Sequence, residues 1–471
     1  MTHMDKYKRL WSNTAILGMG TFASKVLVFL LMPLYTAILS AEQFGVADLV
    51  AQTANLLIPL VAVGICDGLF RFTLDTEDTD RKKVFTASVS VLAMGSAILA
   101  LVAVCVGFSD RPWASYLPLI VAYVVCANFH SAFAHYLRAK GHTTLFAVQG
   151  IINTALTIAF NILFLVVWHM GSTGYVLSVV VADLLITAGL FFVGRMWRDF
   201  SFRAWDGAVV KSLLKFSIPY IPTTMMWLIT SVSDRYIVTL YCGTAMQGLY
   251  AAASKIPTLV LLVSGVFIEA WHFSSVKDAP EERASFFGTV YRNYMSMMFI
   301  GASALIVTSQ IFTRLLLADS YYSSWEFVPI LVIAMVFSSF SSFFGSVDFL
   351  EKKSMLSMMT AMAGAVINVI LNFWLIPRHG AMGAAVATLI SYLATYAIRS
   401  YDTVRYVRFS QHYVRVAVNT VLLIAQACIM LAAPRYWQYA ELFLFGLVLL
   451  INGRGMILTA RQIFSKKSKK I

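Results

Sequence analysis

Hydrophobic runs of about 20 residues or more recur along almost the whole chain, with most of its charge confined to the short segments between them. They fall near 13–37, 44–70, 84–108, 113–137, 143–168 and 173–196, then near 213–240, 247–272, 287–311, 326–350, 354–376, 381–400, 413–433 and 437–458. Each is long enough to cross the hydrocarbon of a bilayer as a helix, which makes about fourteen spans. The expected fold is all-α and polytopic, and 59% hydrophobic with 13% charged residues is far from a soluble domain.

The placement of the bases sets the orientation. With the N-terminus inside, cytoplasmic segments hold clusters at Lys6–Arg9, Arg71–Lys83, Arg138–Lys140, Arg195–Lys215, Lys277–Arg292, Lys352–Lys353, Arg399–Arg415 and Arg454–Lys470. The opposite side holds only Arg111, Arg314, Arg378 and Arg435. This asymmetry follows the positive-inside rule and fits an even number of spans with both termini cytoplasmic. One missed or spurious span would invert every later loop. The net charge of +13 is thus explained by an anionic leaflet, and nucleic acid is not an expected partner.

A weak internal repeat divides the chain. Asn161, Gly171 and Gly174 at the fifth-to-sixth turn are echoed by Asn372, Gly380 and Gly383 at the eleventh-to-twelfth, and Phe44-Gly45 by Gln247-Gly248. Six-helix halves starting on the same side form a parallel repeat, with a cargo site expected between them near mid-depth. The expected organisation is an N-terminal lobe over 1–198, a cytoplasmic interfacial connector over 199–212, a C-terminal lobe over 213–410, and two further helices with a basic tail over 411–471. Trp197, Phe200, Phe202 and Trp205 among basic residues suit a connector lying in the interface, and equally an ordinary aromatic belt.

Charge at depth singles out one stretch, SVSDRYIVTLYCGTAMQGLYAAASK, residues 231–255. Insertion of a charge at the membrane centre costs about 2.5–3.5 kcal/mol per residue, so such groups are paired or face a polar cavity. Asp234 and Arg235 lie about two turns before the seventh span ends, and Lys255 about two turns into the eighth. Lys25 falls near the middle of the first span and Asp183 near the middle of the sixth. Asp48 stands near the outer end of the second, while Glu269 and His272 close the inner end of the eighth. Asp234 pairing with Arg235 or Lys255 as an internal staple is one reading. One acid does not neutralise Arg235, Lys255 and Lys25, however, and the excess favours an anionic cargo. At an effective dielectric near 20, a cation about 5 Å from one phosphate charge gains about 3 kcal/mol, so two or three cations hold a diphosphate reversibly. Asp183 reads either as a proton or cation coupling site or as a hydrogen-bonded helix contact, and His130 and His135 as packed or interfacial residues rather than ligands. Pro257, beside Lys255, is the proline expected to shape a cavity-lining kink.

No phosphate-cradling glycine loop is followed by Lys-Ser or Lys-Thr, no His/Asp/Glu cluster has metal spacing, and no loop is long enough for a soluble catalytic domain. The five cysteines stand singly, without disulfide or metal spacing. The expectation is a transporter rather than an enzyme, with no cofactor and no metal.

The stretches NTAILGMGTFASKVLVFLLMPLYTAILSAEQFGVADL, KFSIPYIPTTMMWLITSVSDRYIVTLYCGTAMQGLYAAASKIP and FLEKKSMLSMMTAMAGAVINVILNFWLIPRHGAMGAAVATLISY resemble the bacterial polysaccharide flippases. These form the O-antigen and exopolysaccharide branch of the multidrug, oligosaccharidyl-lipid and polysaccharide exporter superfamily. The resemblance implies two lobes around a cationic cavity in the bacterial cytoplasmic membrane. It also implies translocation of polyprenyl-diphosphate-linked oligosaccharide repeat units by alternating access coupled to H+ or Na+. Carried onto this chain, Lys25, Arg235 and Lys255 become the diphosphate-binding residues, and Asp234, Asp183, Asp48 and Glu269 pairing or ion-coupling residues. Membrane lipids, a polysaccharide polymerase and glycosyltransferases become the expected partners. A lipid II flippase and a cation-coupled multidrug antiporter of the same superfamily are the alternatives, with a membrane-embedded glycan-modifying enzyme further off.

Overall fold

The computed structural model describes residues 29–75, 78–107, 112–275, 280–350, 354–405 and 409–468. They form sixteen α-helices, with no strand among the described residues. In chain order these are α1 (Met32–Ile38), α2 (Ala41–Ala62), α3 (Ile65–Asp75), α4 (Asp78–Gly107), α5 (Leu117–Ala139), α6 (Thr143–Asn161), α7 (Gly171–Val193) and α8 (Gly207–Ser217). They continue as α9 (Ile221–Ala253), α10 (Thr258–Ser275), α11 (Pro280–Val307), α12 (Ser309–Leu316), α13 (Val328–Leu350), α14 (Ser354–Thr403), α15 (Tyr413–Ala432) and α16 (Trp437–Ser468). Eight spans among the described residues are long and apolar enough to cross a bilayer, or up to ten if each of two bent pairs counts as one span.

Two of the long helices are hairpins. On a straight helix, residues 16 and 19 apart stand about 24 and 28 Å apart, yet Tyr250 bonds Asp234 at 2.7 Å and Arg235 reaches Ser254 at 3.3 Å. The chain therefore reverses within α9, at Gly243 with φ 85° and ψ 168°. Likewise α14 turns back at Gly380, φ 59° and ψ −145°, which brings Arg399 to within 2.9 Å of Thr360. A left-handed φ is open to glycine and strained for residues with a Cβ, so glycine at both reversals is a backbone requirement. Separating the arms of these hairpins recovers a helix for each hydrophobic run read from the sequence. The first run is the exception, because residues 13–28 lie outside the described residues.

The internal repeat is visible in the backbone. Gly171, which opens α7, has φ 58° beside the 59° of Gly380, and Asn161 and Asn372 are both buried. Gly174 and Gly383 then pack tightly against the end of the preceding helix: a Cβ would lie 3.2 Å from the Phe164 carbonyl oxygen in one and 2.5 Å from the Leu375 carbonyl oxygen in the other.

The chain divides into two compact units, Met1–Val232 and Ser233–Ile471, the division falling inside α9. In the first unit a capping box between Ser40 and Gln43 starts α2. Its helices approach through small residues: a Cβ on Gly95 of α4 would stand 2.2 Å from the Val61 carbonyl oxygen of α2. The apolar stretch of α4 is only 11% buried within the protein, so its hydrophobic surface is left for lipid. In the second unit the window over α13 is 83% buried, which makes it the central helix. Phe340, Phe343 and Phe344 on it pack with Trp271, Tyr291, Tyr294 and Tyr396 in an aromatic core.

Candidate functional site

The turn at Gly243 brings the charged residues of residues 231–255 together. Asp234 is 5% exposed. Its Oδ2 accepts the Tyr250 hydroxyl at 2.7 Å and its Oδ1 the Arg235 backbone N–H at 2.8 Å. Arg235 is half-buried and donates from Nη2 to Ser254 Oγ at 3.3 Å. Ser254 directly precedes Lys255, also half-buried. Lys255 lies where regular helix breaks between Ala253 and Thr258, and its carbonyl oxygen accepts the Thr258 hydroxyl. Pro257 lacks a backbone N–H, which helps hold the ladder open at this break. Two cations thus flank one helix break in the second unit, beside a carboxylate held by a buried tyrosine.

The polar layer continues into the other hairpin of that unit. Ser233 donates to Asn368 Oδ1 at 2.8 Å, Asn372 Nδ2 to the same oxygen at 2.9 Å, and Asn368 Nδ2 to Thr388 Oγ1 at 3.4 Å. Asn368 and Asn372 are fully buried. Uncharged amides at this depth need partners within the protein, and here they find one another.

The other sequence-derived residues lie elsewhere. Lys25 lies outside the described residues. Glu269 is in α10, but its side chain is also outside them. Asp48 is buried on α2, with Gln52 Nε2 3.4 Å from its Oδ1. Asp183 is buried on α7 and receives His130 Nδ1 at 2.8 Å and Asn153 Nδ2 at 2.9 Å on one oxygen.

Two features escape the sequence reading. His130, 53 positions from Asp183, is its direct partner. Arg399, counted above with the cytoplasmic bases, is 2% exposed within the second unit. Its guanidinium donates to the Ser341 carbonyl at 2.8 Å, to Thr360 Oγ1 at 2.9 Å and to the Ser357 carbonyl and hydroxyl at 3.0 and 3.1 Å. Serine and threonine on helix ends give no sequence signal of this kind, because they are common wherever helices pack. Arg71, near the end of α3, has its guanidinium 3.2 Å from Asp75.

A profile of the polysaccharide biosynthesis protein family matches residues 10–273. The chain belongs to this family. No curated protein sequence matches it. Among solved structures it is similar to the lipid II flippase MurJ in an inward closed conformation, with a TM-score of 0.72 at 14% identity over 96% of this chain and 100% of that one. It is also similar to a multidrug resistance MATE family transporter of the MOP superfamily. The inward-facing form gives a TM-score of 0.63 at 12% identity, over 81% of this chain and 95% of that one. The outward-facing form gives 0.59 at 15%, over 83% and 95%. At these identities the likeness is one of fold, and this member of the polysaccharide biosynthesis protein family is a multi-pass membrane protein that shares the fold of these solved structures.

Proposed function

We propose that the protein is a flippase that moves polyprenyl-diphosphate-linked oligosaccharide repeat units across the bacterial cytoplasmic membrane for surface polysaccharide biosynthesis. The observation that carries this reading is that Arg235 reaches Ser254, the residue next to Lys255, across the Gly243 hairpin, in a member of a polysaccharide biosynthesis family. Arg235 offers a planar fork and Lys255 a mobile point charge, which suits a diphosphate that must be gripped and then released. Lys25, which lies outside the described residues, is the third cation of this reading, assigned from the family resemblance. Asp234 bonds the backbone N–H of Arg235 and limits the positive charge, so that binding stays reversible.

Transport runs by alternating access driven by an H+ or Na+ gradient, with Asp234, Asp183, Asp48 and Glu269 as the acidic groups available for coupling. The chain performs no covalent chemistry. Both termini are cytoplasmic, and glycosyltransferases and a polymerase act before and after it on the same lipid-linked glycan.

A second reading, a lipid II flippase, is favoured by the likeness of fold to MurJ. Complementation separates them. A strain lacking the gene should remain viable, lose surface polysaccharide, and regain it with the wild-type protein but not with Arg235→Ala or Lys255→Ala at equal membrane levels. Loss of viability with intact surface glycan selects the second reading. Intact glycan with neutral residues at Lys25, Arg235 and Lys255 overturns the diphosphate grip.

A further inference from the structure

The first unit holds a buried polar cluster that the diphosphate grip does not use. His130 on α5, Gln149 and Asn153 on α6, and Asp183 on α7 meet in one network. His130 Nδ1 is 2.8 Å from Asp183 Oδ1, and Nε2 is 2.6 Å from Gln149 Oε1. Asn153 Nδ2 donates to the same carboxylate oxygen at 2.9 Å. Asp183 is 6% exposed and Gln149 9%, while the His130 side chain keeps 15% of its surface open.

The Gln149 amide presents its oxygen to Nε2, and counting protons says which charge state matches that orientation. A neutral imidazole has one N–H, and an imidazolium has two. Both ring nitrogens here face oxygen acceptors. With Nδ1–H given to the carboxylate, a bare Nε2 would set its lone pair against the amide oxygen of Gln149, whereas imidazolium donates to both. Its charge also neutralises Asp183, and a buried carboxylate is strongly favoured by a cationic partner over neutral donors alone.

We infer that His130 is the site at which this transporter binds its coupling ion, and that the ion is a proton. The inference rests on reading the chain as an ion-coupled transporter and names the ion. A hydronium ion gives up one O–H bond and leaves as water as the Nε2–H bond forms, and no other covalent bond is made or broken. On its release Nδ1–H stays with Asp183, and the Gln149 amide turns over to present its NH2 group to the bare Nε2. Both contacts persist: that of α5 with α7 loses its ion-pair character, and that of α5 with α6 exchanges donor for acceptor, so both helix pairs sense the charge state.

The surroundings leave His130 as the group that takes the proton. On α5, Tyr123 and Cys126 share the field of Asp183. His135, with Arg138 and the α3 carboxylate Asp67 around it, stands further along the same helix. On α2, which packs on both α5 and α7, Asp48 is engaged by Gln52. On α4, Arg81 is bonded to the Thr73 carbonyl and Lys83 pairs with Asp80. A shared packing role would be duplicated by the internal repeat, but the position equivalent to Asp183, taken from Gly174 and Gly383, is Tyr392.

The test is 15N spectroscopy of imidazole-labelled full-length protein in lipid nanodiscs, with the His130 signals assigned by subtraction of His130→Gln spectra. Both His130 nitrogens should be protonated at low pH and pass to the Nδ1–H tautomer on titration. Asp183→Asn should move that transition down by about one pH unit or more. A neutral His130 from about pH 5 upward, or a transition that Asp183→Asn leaves in place, overturns the inference. In proteoliposomes, a pH gradient should speed translocation of lipid-linked oligosaccharide by the wild type, while His130→Gln exchanges it at a rate the gradient does not change. Gradient-driven transport by His130→Gln also overturns the inference. If the wild type moves no such lipid, it is the flippase reading that fails, and the spectra still decide the proton site.

Discussion

At the residue scale the account rests on a few polar groups at membrane depth. Arg235→Ala should weaken binding of a diphosphate lipid by tenfold or more, since one cation near one phosphate charge is worth about 3 kcal/mol before screening. Arg235→Lys should restore part of that binding, because it keeps the charge and loses the fork. Titration of the purified variants with the lipid-linked ligand checks both. Tyr250→Phe removes a buried O–H donor from Asp234 and should cost about 1.5–3 kcal/mol, read as a lower Tm with unchanged secondary structure. The layer at Asp234, Arg235 and Lys255 was legible in the sequence because charge inside an apolar run is anomalous by itself. The His130–Asp183 contact was not, because a histidine and an aspartate on different helices look like two separate packed residues until the helices are placed. Arg399 misled for the opposite reason: its position near a helix end is where solvated bases belong, and only the packing of α13 and α14 puts it inside.

At the element scale, the hairpins depend on their glycines for different physical reasons. Gly243 has open space around its missing Cβ but a φ of 85°, so Gly243→Ala should cost about 1–2 kcal/mol through backbone strain alone. Gly383→Ala meets a carbonyl oxygen at 2.5 Å and should separate the two arms of α14, with a larger loss of Tm. Gly446→Ala, with nothing within 4 Å and an ordinary φ, should be neutral or slightly stabilising, since alanine is the better helix former. Thermal melts of the three variants in one detergent rank them. The spans were readable from run length alone. Both reversals were readable as gaps between runs, and the one at Gly380 is marked further by Pro377, Arg378 and His379, whereas Cys242, Gly243 and Thr244 carry no charge. At Gly243 the hairpin turned by one glycine leaves little change in composition to mark it.

At the scale of the whole molecule, the alternation of basic loops predicts a fixed topology. Reporter fusions after Arg198 and after Lys353 should read cytoplasmic, and fusions after Arg111, Arg314 and Arg435 external. The opposite pattern at any one site would mean a span had been miscounted before it. The central claim is that this chain carries an anionic, lipid-linked glycan past Arg235 and Lys255. Its most direct test is the translocation of a polyprenyl-diphosphate oligosaccharide across liposomes by the purified protein. The wild type should equilibrate the lipid between leaflets while Arg235→Ala/Lys255→Ala, reconstituted at the same density, stays at the protein-free rate. Equal translocation by the two proteins would contradict the account.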